Sequence, residues 1–296
     1  MARRHEADLD DLSGNRGREG LRAEDGRMGV AGASSRCLTV ASWNLHEGLP
    51  SAGGAGPCSP AAMDEVVGLL TDRGVDIAAF QEVGFDDRGR SELLESVRLW
   101  TPLRYVASYP LHDSSFFPGR LSGVAVASRF ELRTPRQYML PNPRLRTRLD
   151  GKEIQSHDKG LVSVAVPLWG TTVNVTSLHA VPFYLFGRDP DEAEFKEIWD
   201  VLAGELGRRA TGRLSLVCGD FNTDNRGLVL SSDSLSLNSS LEGRPTYRNK
   251  SIDDILYGPG FTFDGAELID NFSDHRACVA TFRVAADVLR TFSEEP

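Results

Sequence analysis

No apolar stretch in the chain approaches the roughly 20 residues that a membrane-spanning helix needs, and no internal repeat is visible. Cysteine is scarce and badly placed for metal or redox work. Cys37, Cys58, Cys218 and Cys278 form neither a CxxC pair nor a zinc spacing. Three of them, Cys37, Cys218 and Cys278, fall in apolar strand-like runs and are expected to be buried free thiols, which suits a reducing compartment. Positive charge is not in surplus either. A formal net charge of −9 argues against a protein that coats nucleic acid through a general basic surface, while a local basic strip stays compatible with a polyanion. Residues Met1-Ala2-Arg3-Arg4-His5-Glu6 lead into charge rather than a hydrophobic signal core, so the cytoplasm is the expected location.

What is present is a globular composition. A chain of 296 residues that is 40% hydrophobic can bury a sizeable core. Residues 1–35 hold seven acids and six arginines but no aromatic; too little apolar surface is available there to offset chain ordering, so a disordered tail is expected. The domain proper is expected over 36–285, with a short C-terminal tail over 286–296. Strands are expected at 38–44, 76–82, 104–108, 123–128, 161–166, 172–178, 215–220, 251–257 and 277–284. Trp169-Gly170 is read as a hairpin turn. Ser59-Pro60 supplies a cap and first-turn proline to a helix carrying Met63, Val66, Val67 and Leu70 on one face. A short helix is expected over 91–99. Asp189-Pro190-Asp191-Glu192 has the capping pattern of a further helix, with Phe195, Ile198, Trp199, Leu202 and Leu206 on its apolar face. The Pro- and Arg-rich segment 133–159 reads as a loop or exposed hairpin.

The stretch Ser215-Leu216-Val217-Cys218-Gly219-Asp220-Phe221-Asn222 organises the rest. An apolar run ends in Gly219, which is expected to let the backbone turn tightly. Asp220 and Asn222 follow at alternate positions and, with period-2 geometry, face the same side. A carboxylate beside an amide suits a divalent cation next to a phosphate oxygen; a plain β-turn is the alternative, since Gly, Asp and Asn all form turns. Polar residues recur at other strand ends: Asn44, Glu82, His179, Asp253, and Asp274 with His275. Asp253, inside the apolar run Ile252-Asp253-Asp254-Ile255-Leu256, needs a buried partner, and a histidine is the natural one.

The ordered set Ser42-Trp43-Asn44, Gln81-Glu82, Gly123-Val124-Ala125-Val126-Ala127-Ser128-Arg129, Thr176-Ser177-Leu178-His179, Gly219-Asp220-Phe221-Asn222, Ile252-Asp253-Asp254-Ile255-Leu256 and Ser273-Asp274-His275 resembles the endonuclease/exonuclease/phosphatase superfamily. The resemblance runs from about residue 37 to 284. It implies a four-layer α/β sandwich, two packed mixed β-sheets flanked by helices, with the site at one end. It further implies a Mg²⁺-dependent phosphoesterase, with Mn²⁺ as a possible substitute.

Carried over residue by residue, the resemblance makes Glu82 the principal metal ligand, with Asn44, Asp220 and Asp274 around the ion. Asp220 positions or deprotonates water, and Asn222 holds a non-bridging phosphate oxygen. His275, oriented by Asp253, contacts the phosphoryl group or acts as base. His179 stabilises the transition state or protonates the leaving oxygen. Lys159 and Arg146 are candidate phosphate contacts, and Asp158 is a candidate to orient His179. His46 stands where some nuclease members carry a second acid, which puts a second metal there in doubt.

Nucleic acid is the leading substrate class, on the strength of the arginines over 133–148 beside Tyr138. A small-molecule or lipid-headgroup phosphoester is the rival, and a silent binding module would be expected to have lost Glu82, Asp220 or a histidine. A monomer without stable membrane association is expected. Phe183-Tyr184-Leu185-Phe186 has three readings: packing, stacking on a base, or contact with a membrane.

Overall fold

The computed structural model describes residues 36–50, 58–149, 151–210, 212–230 and 235–284. The tails expected at 1–35 and 286–296 lie outside the described residues. In chain order the elements are β1 (Cys37–Asn44), α1 (Pro60–Asp72), β2 (Ile77–Phe85), α2 (Glu92–Trp100), β3 (Tyr105–Asp113), β4 (Leu121–Ser128), β5 (Arg133–Met139), β6 (Arg146–Leu149), β7 (Lys152–Gln155), β8 (Gly160–Leu168), β9 (Thr171–His179), α3 (Lys196–Arg209), β10 (Ser215–Asp220), β11 (Asn238–Ser239), β12 (Asp253–Tyr257), β13 (Phe261–Ile269) and β14 (Ala277–Val284). Two six-stranded sheets form, ordered β13-β14-β1-β2-β4-β3 and β11-β12-β10-β9-β8-β5, with β6-β7 as a separate two-stranded hairpin. Each large sheet is mixed, because β1 runs parallel to β2 and β9 parallel to β10.

Strand periodicity explains the layering. Leu38 and Val40 of β1, Ile77 and Ala79 of β2, and Val124 and Val126 of β4 point inward, where they meet Val162, Val164, Val175, Leu216 and Ile255 of the second sheet. Alternate residues of the same strands (Ala41, Trp43, Ala78, Phe80, Ala125, Ala127) face α1 and α2 through Val66, Leu70, Leu94 and Val97. Val217, Leu178 and Leu161 of the second sheet pack on Ile198, Trp199, Leu202 and Leu206 of α3. The result is the helix–sheet–sheet–helix sandwich, each layer generated by side chains alternating across a strand.

The local signals mostly behave as read. Ser59 Oγ accepts from Ala62 N at 3.2 Å and Pro60 opens α1. Trp169 and Gly170 both take left-handed φ values, 56° and 80°, as a two-residue hairpin between β8 and β9 requires. Gly219 differs. It stays within β10, and a Cβ there would stand 2.4 Å from Leu178 O, so the glycine serves the close approach of β9 and β10 rather than a turn.

α3 begins at Lys196, after a short 3₁₀ segment at Ala193–Phe195. The capping pattern forms instead on the preceding turn, where Glu192 Oε1 accepts from Asp189 N at 2.8 Å. Arg133–Met139 is the edge strand β5, and only the part beyond it is the exposed hairpin. β13 adds an edge strand that the alternation did not announce. Cys37 is exposed at the start of β1, whereas Cys58, Cys218 and Cys278 are buried, and none of the four forms a disulfide.

Candidate active site

Strand register assembles the site. In the second sheet, Gly160 of β8 lies opposite His179 of β9. His179 lies opposite Asp220 of β10, and Asp220 opposite Asp253 of β12. In the first sheet, Asn44 at the end of β1 pairs with Gln81 of β2. The sheets are pinned at this end. Gln81 Nε2 donates to Ser177 Oγ at 3.1 Å, and Ser177 Oγ donates to Phe80 O at 2.9 Å. Four neighbouring strand ends from one sheet therefore face two from the other.

Backbone irregularities then aim the side chains. The β2–β4 pairing shifts register between Phe80 and Val83, and Glu82 sits in that bulge with φ +48°. Asn222, φ +53°, leaves β10 in a tight turn closed by Asn222 N donating to Asp220 Oδ1 at 2.9 Å. Asp220 and Asn222 share a side because of this turn, not because a strand continues through them. Left-handed φ in non-glycine residues costs free energy and clusters where function demands it.

These residues surround a cavity of about 1060 Å³ whose walls include Glu82, Lys159, His179, Asp220, Asn222, Asp274 and His275. Asn44 Nδ2 donates to Asp220 Oδ2 at 3.0 Å. Asn44 Oδ1 accepts from His46 N at 3.0 Å. His179 Nε2 lies 3.4 Å from Asp220 Oδ2 and 3.8 Å from Glu82 Oε1. His275 Nδ1 is 2.9 Å from Asp253 Oδ2, and its Nε2 is 3.9 Å from Asp220 Oδ2. Asn222 Nδ2 donates to Ala180 O at 2.9 Å. The buried Lys159 ammonium lies against the His179 ring, 3.1 Å from Nε2. Asp254, next to Asp253, is tied instead to Arg226 and Ser239.

Two sequence candidates take other places than expected. Asp158 lines the cavity but accepts from Asn142 Nδ2 at 2.8 Å, and the carboxylates beside His179 are Asp220 and Glu82. Arg146 is exposed on the β6–β7 hairpin, 3.6 Å from Glu153, and is not among the lining residues. Conversely, Glu47, His112, His157 and Tyr247 line the cavity without having been singled out. Glu47 is the residue after His46, buried, with its carboxylate bonded to Ser114 Oγ. It lies in the left-handed run His46-Glu47-Gly48 (φ 47°, 54° and 77°), and no spacing rule announces that turn. Tyr247 stacks on His275 with centroids 4.7 Å apart. Phe183 packs against Phe195 and Trp199, while Tyr184, Leu185 and Phe186 line the cavity.

The electrostatics follow from burial. Asp220 is raised to about 7 by desolvation and by the Asp253 charge, against His275 and Asn44, which favour its ionised form. Desolvation also raises Glu47. His275 is pulled down by burial, yet Asp253, Asp220 and Asp274 outweigh this and hold it up at about 10. Burial, then the Lys159 charge, keeps His179 well below its ordinary value. Buried acids that resist ionising signal a shortage of positive charge, which a divalent cation among oxygen donors makes good. Asp220, Asp253 and His275 offer three donor atoms within 4.8 Å of one another. Of these, His275 Nδ1 is committed to Asp253, and the Glu82 carboxylate stands close by, 3.8 Å from His179 Nε2.

A model of the Endonuclease/Exonuclease/phosphatase family matches residues 41–275. No curated protein matches the chain. Among solved structures, the chain is similar to an endonuclease/exonuclease/phosphatase from Beutenbergia cavernae DSM 12333, with 18% identity and TM-score 0.65, covering 84% of this chain and 72% of that one. It is also similar to the human Nocturnin catalytic domain with bound sulfate (18%, TM-score 0.57, 84% and 95%). A third similar structure is a Bacteroides thetaiotaomicron VPI-5482 mannosyl-6-phosphatase (16%, TM-score 0.54, 83% and 99%). At these identities the likeness establishes a shared fold.

Proposed function

Because the chain belongs to the endonuclease/exonuclease/phosphatase family, we propose that it hydrolyses a phosphoester by attack of water in a reaction that depends on a divalent cation, Mg²⁺ or Mn²⁺. The observation that carries this reading is the convergence of Glu82, His179, Asp220, Asn222 and His275 on one cavity from both sheets, with Asn44 bonded to Asp220 behind them. Glu82, Asp220 and Asn44 would hold the ion, with Asp274 near them, and when bound it would neutralise phosphoryl charge and acidify water.

The chain's own residues supply the rest. Asp220, 3.4 Å from His179 and 3.9 Å from His275, is placed to orient the attacking water and take its proton. His275, protonated and held by Asp253, donates through Nε2 to a phosphoryl oxygen. His179 is neutral, so it stabilises charge as a hydrogen-bond donor or passes on a proton delivered from its surroundings, the buried Lys159 ammonium being nearest. Asn222, fixed through Ala180 O, sits where it can orient the phosphate. Water positioning, proton transfer and charge stabilisation are the terms that such a displacement needs.

Nucleic acid, favoured by the arginine-rich segment, and a small-molecule ester are both phosphoester substrates that this chemistry would serve. One observation favours the second. Among the described residues the cavity is lined by carboxylates and a single lysine, with no arginine, and polynucleotide binding draws on rows of Lys and Arg. That one of the similar structures is a mannosyl-6-phosphatase supports the same reading. Purified protein with Mg²⁺ or Mn²⁺ is expected to turn over p-nitrophenyl phosphate or its bis ester. EDTA should abolish turnover, and Glu82→Ala, with its melting profile retained, and the folded fraction of His275→Ala should each lose most of it. Full activity in EDTA, or in either variant, would refute the assignment.

A further inference from the structure

Five of the chain's six histidines line this one cavity, and the hydrolytic reading uses only two. Resting on that reading, we propose that His112 and His157 form a recognition wall for the alcohol half of the substrate, and that the substrate is a small phosphoester whose leaving group carries hydroxyls, of the sugar or polyol kind.

His112 lies near the end of β3, where the pairing with β4 shifts register between Pro110 and His112. The shift turns its ring toward His157, and the rings stack with centroids 4.4 Å apart and 22° between planes. His112 Nδ1 lies 2.7 Å from Asp113 O. A carbonyl only accepts, so Nδ1 carries the hydrogen, and in the neutral ring Nε2 is an acceptor. His157 Nε2 is 3.1 Å from Ser115 Oγ, which leaves Nδ1. Among the described residues neither His112 Nε2 nor His157 Nδ1 has a protein partner, and neither is an occluded atom.

The segment carrying His157 is fixed in place. Ser156 Oγ donates to Asn142 Oδ1 at 2.7 Å and accepts from Leu145 N at 2.9 Å. Both rings are held neutral by burial first and by Lys159 second; His112 is lowered to about 3. A neutral, stacked, preorganised pair with open ring nitrogens suits groups that both donate and accept, which hydroxyls do. It gains nothing from an apolar leaving group, beside which those nitrogens would go unbonded. The carboxylates of the same cavity disfavour a further phosphate beside the pair. Tyr184 and Tyr247 border the same cavity.

The test compares kcat/KM with Mg²⁺ for glucose 6-phosphate and glycerol 3-phosphate, for p-nitrophenyl phosphate and bis(p-nitrophenyl) phosphate, and for a short DNA oligonucleotide. Wild type should prefer a hydroxyl-bearing small ester. His112→Phe and His157→Phe keep a stacked ring but remove the nitrogens. Each should lower the ratio of kcat/KM for the hydroxyl-bearing ester to that for the p-nitrophenyl ester by about tenfold, chiefly through KM. His→Asn at the same positions replaces a Phe variant that melts early. An unchanged ratio in folded variants overturns the inference. So does wild-type preference for the oligonucleotide, or turnover of p-nitrophenyl esters without turnover of either hydroxyl-bearing one. No turnover of any ester would strike instead at the phosphoesterase reading beneath it.

Discussion

Replacing Asp253 by Asn keeps the shape of the side chain and removes the charge that holds His275. Asp253 and His275 are both buried, and the carboxylate oxygen stands 2.9 Å from Nδ1. The rise of His275 from 6.5 to about 10 corresponds to ~5 kcal/mol of preference for the protonated ring. Asp220 and Asp274 share in that rise, so the part lost with Asp253 is on the order of 3 kcal/mol, in line with breaking a buried ion pair. The sign is fixed by linkage. A histidine whose folded pKa is raised contributes stability that is complete below about pH 6.5 and fades as pH climbs toward 10.

Wild type should therefore exceed Asp253→Asn in unfolding free energy by a few kcal/mol at pH 6, and the gap should close toward pH 10. Removal of the Asp253 charge also relieves the repulsion on Asp220, which narrows the gap further once Asp220 is ionised, above pH 7. The measurement is urea unfolding at pH 6, 8 and 10 in EDTA, paired with kcat in Mg²⁺. A loss of roughly 10²–10⁴-fold in kcat accompanies loss of an acid–base or charge-stabilising group. A stability gap that stays constant from pH 6 to 10 would falsify the ion-pair account, and wild-type kcat would remove His275 from the chemistry.

Two further outcomes are expected. Glu47→Gln keeps an acceptor oxygen for the Ser114 hydroxyl but removes a buried charge near Glu82. It should raise the melting temperature of the metal-free protein by a few degrees and weaken Mg²⁺ binding measured by calorimetry; unchanged values of both would show that Glu47 is electrostatically idle. Gly219→Ala puts a Cβ 2.4 Å from Leu178 O, against backbone that cannot swing away. A loss of about 1–3 kcal/mol is expected in urea unfolding, and a neutral result would mean that β9 and β10 part easily.

The sequence exposed the site better than it exposed the chain around it, for a physical reason. Asn44, His179 and Asp220 terminate apolar strands and Glu82 sits at a bulge within one, so each interrupts a run of hydrophobic residues and is visible as a break in pattern. Asp253 was visible for the opposite reason, as a carboxylate inside such a run, and its histidine partner could be named from the cost of burying it alone. Edge strands lack that contrast. β5 carries Arg133 and Arg136 because both of its sides are largely exposed. β13 breaks its alternation at the bulge between Phe263 and Gly265, so neither reads as a strand.

The residues that escaped notice are those whose placement depends on the tertiary path alone. Glu47 reaches the cavity through consecutive left-handed residues, and His112 through a register shift in an edge strand. Neither event has a period to detect. These irregular residues are also where the cavity departs from what the ordered motifs describe. Strand ends arrive by register and bring Asn44, His179 and Asp220 to the site. Bulges and turns add Glu82, Asn222, Glu47 and His112. The first group was legible because regular structure delivers it; Glu47 and His112 were not, because they arrive where regular structure fails.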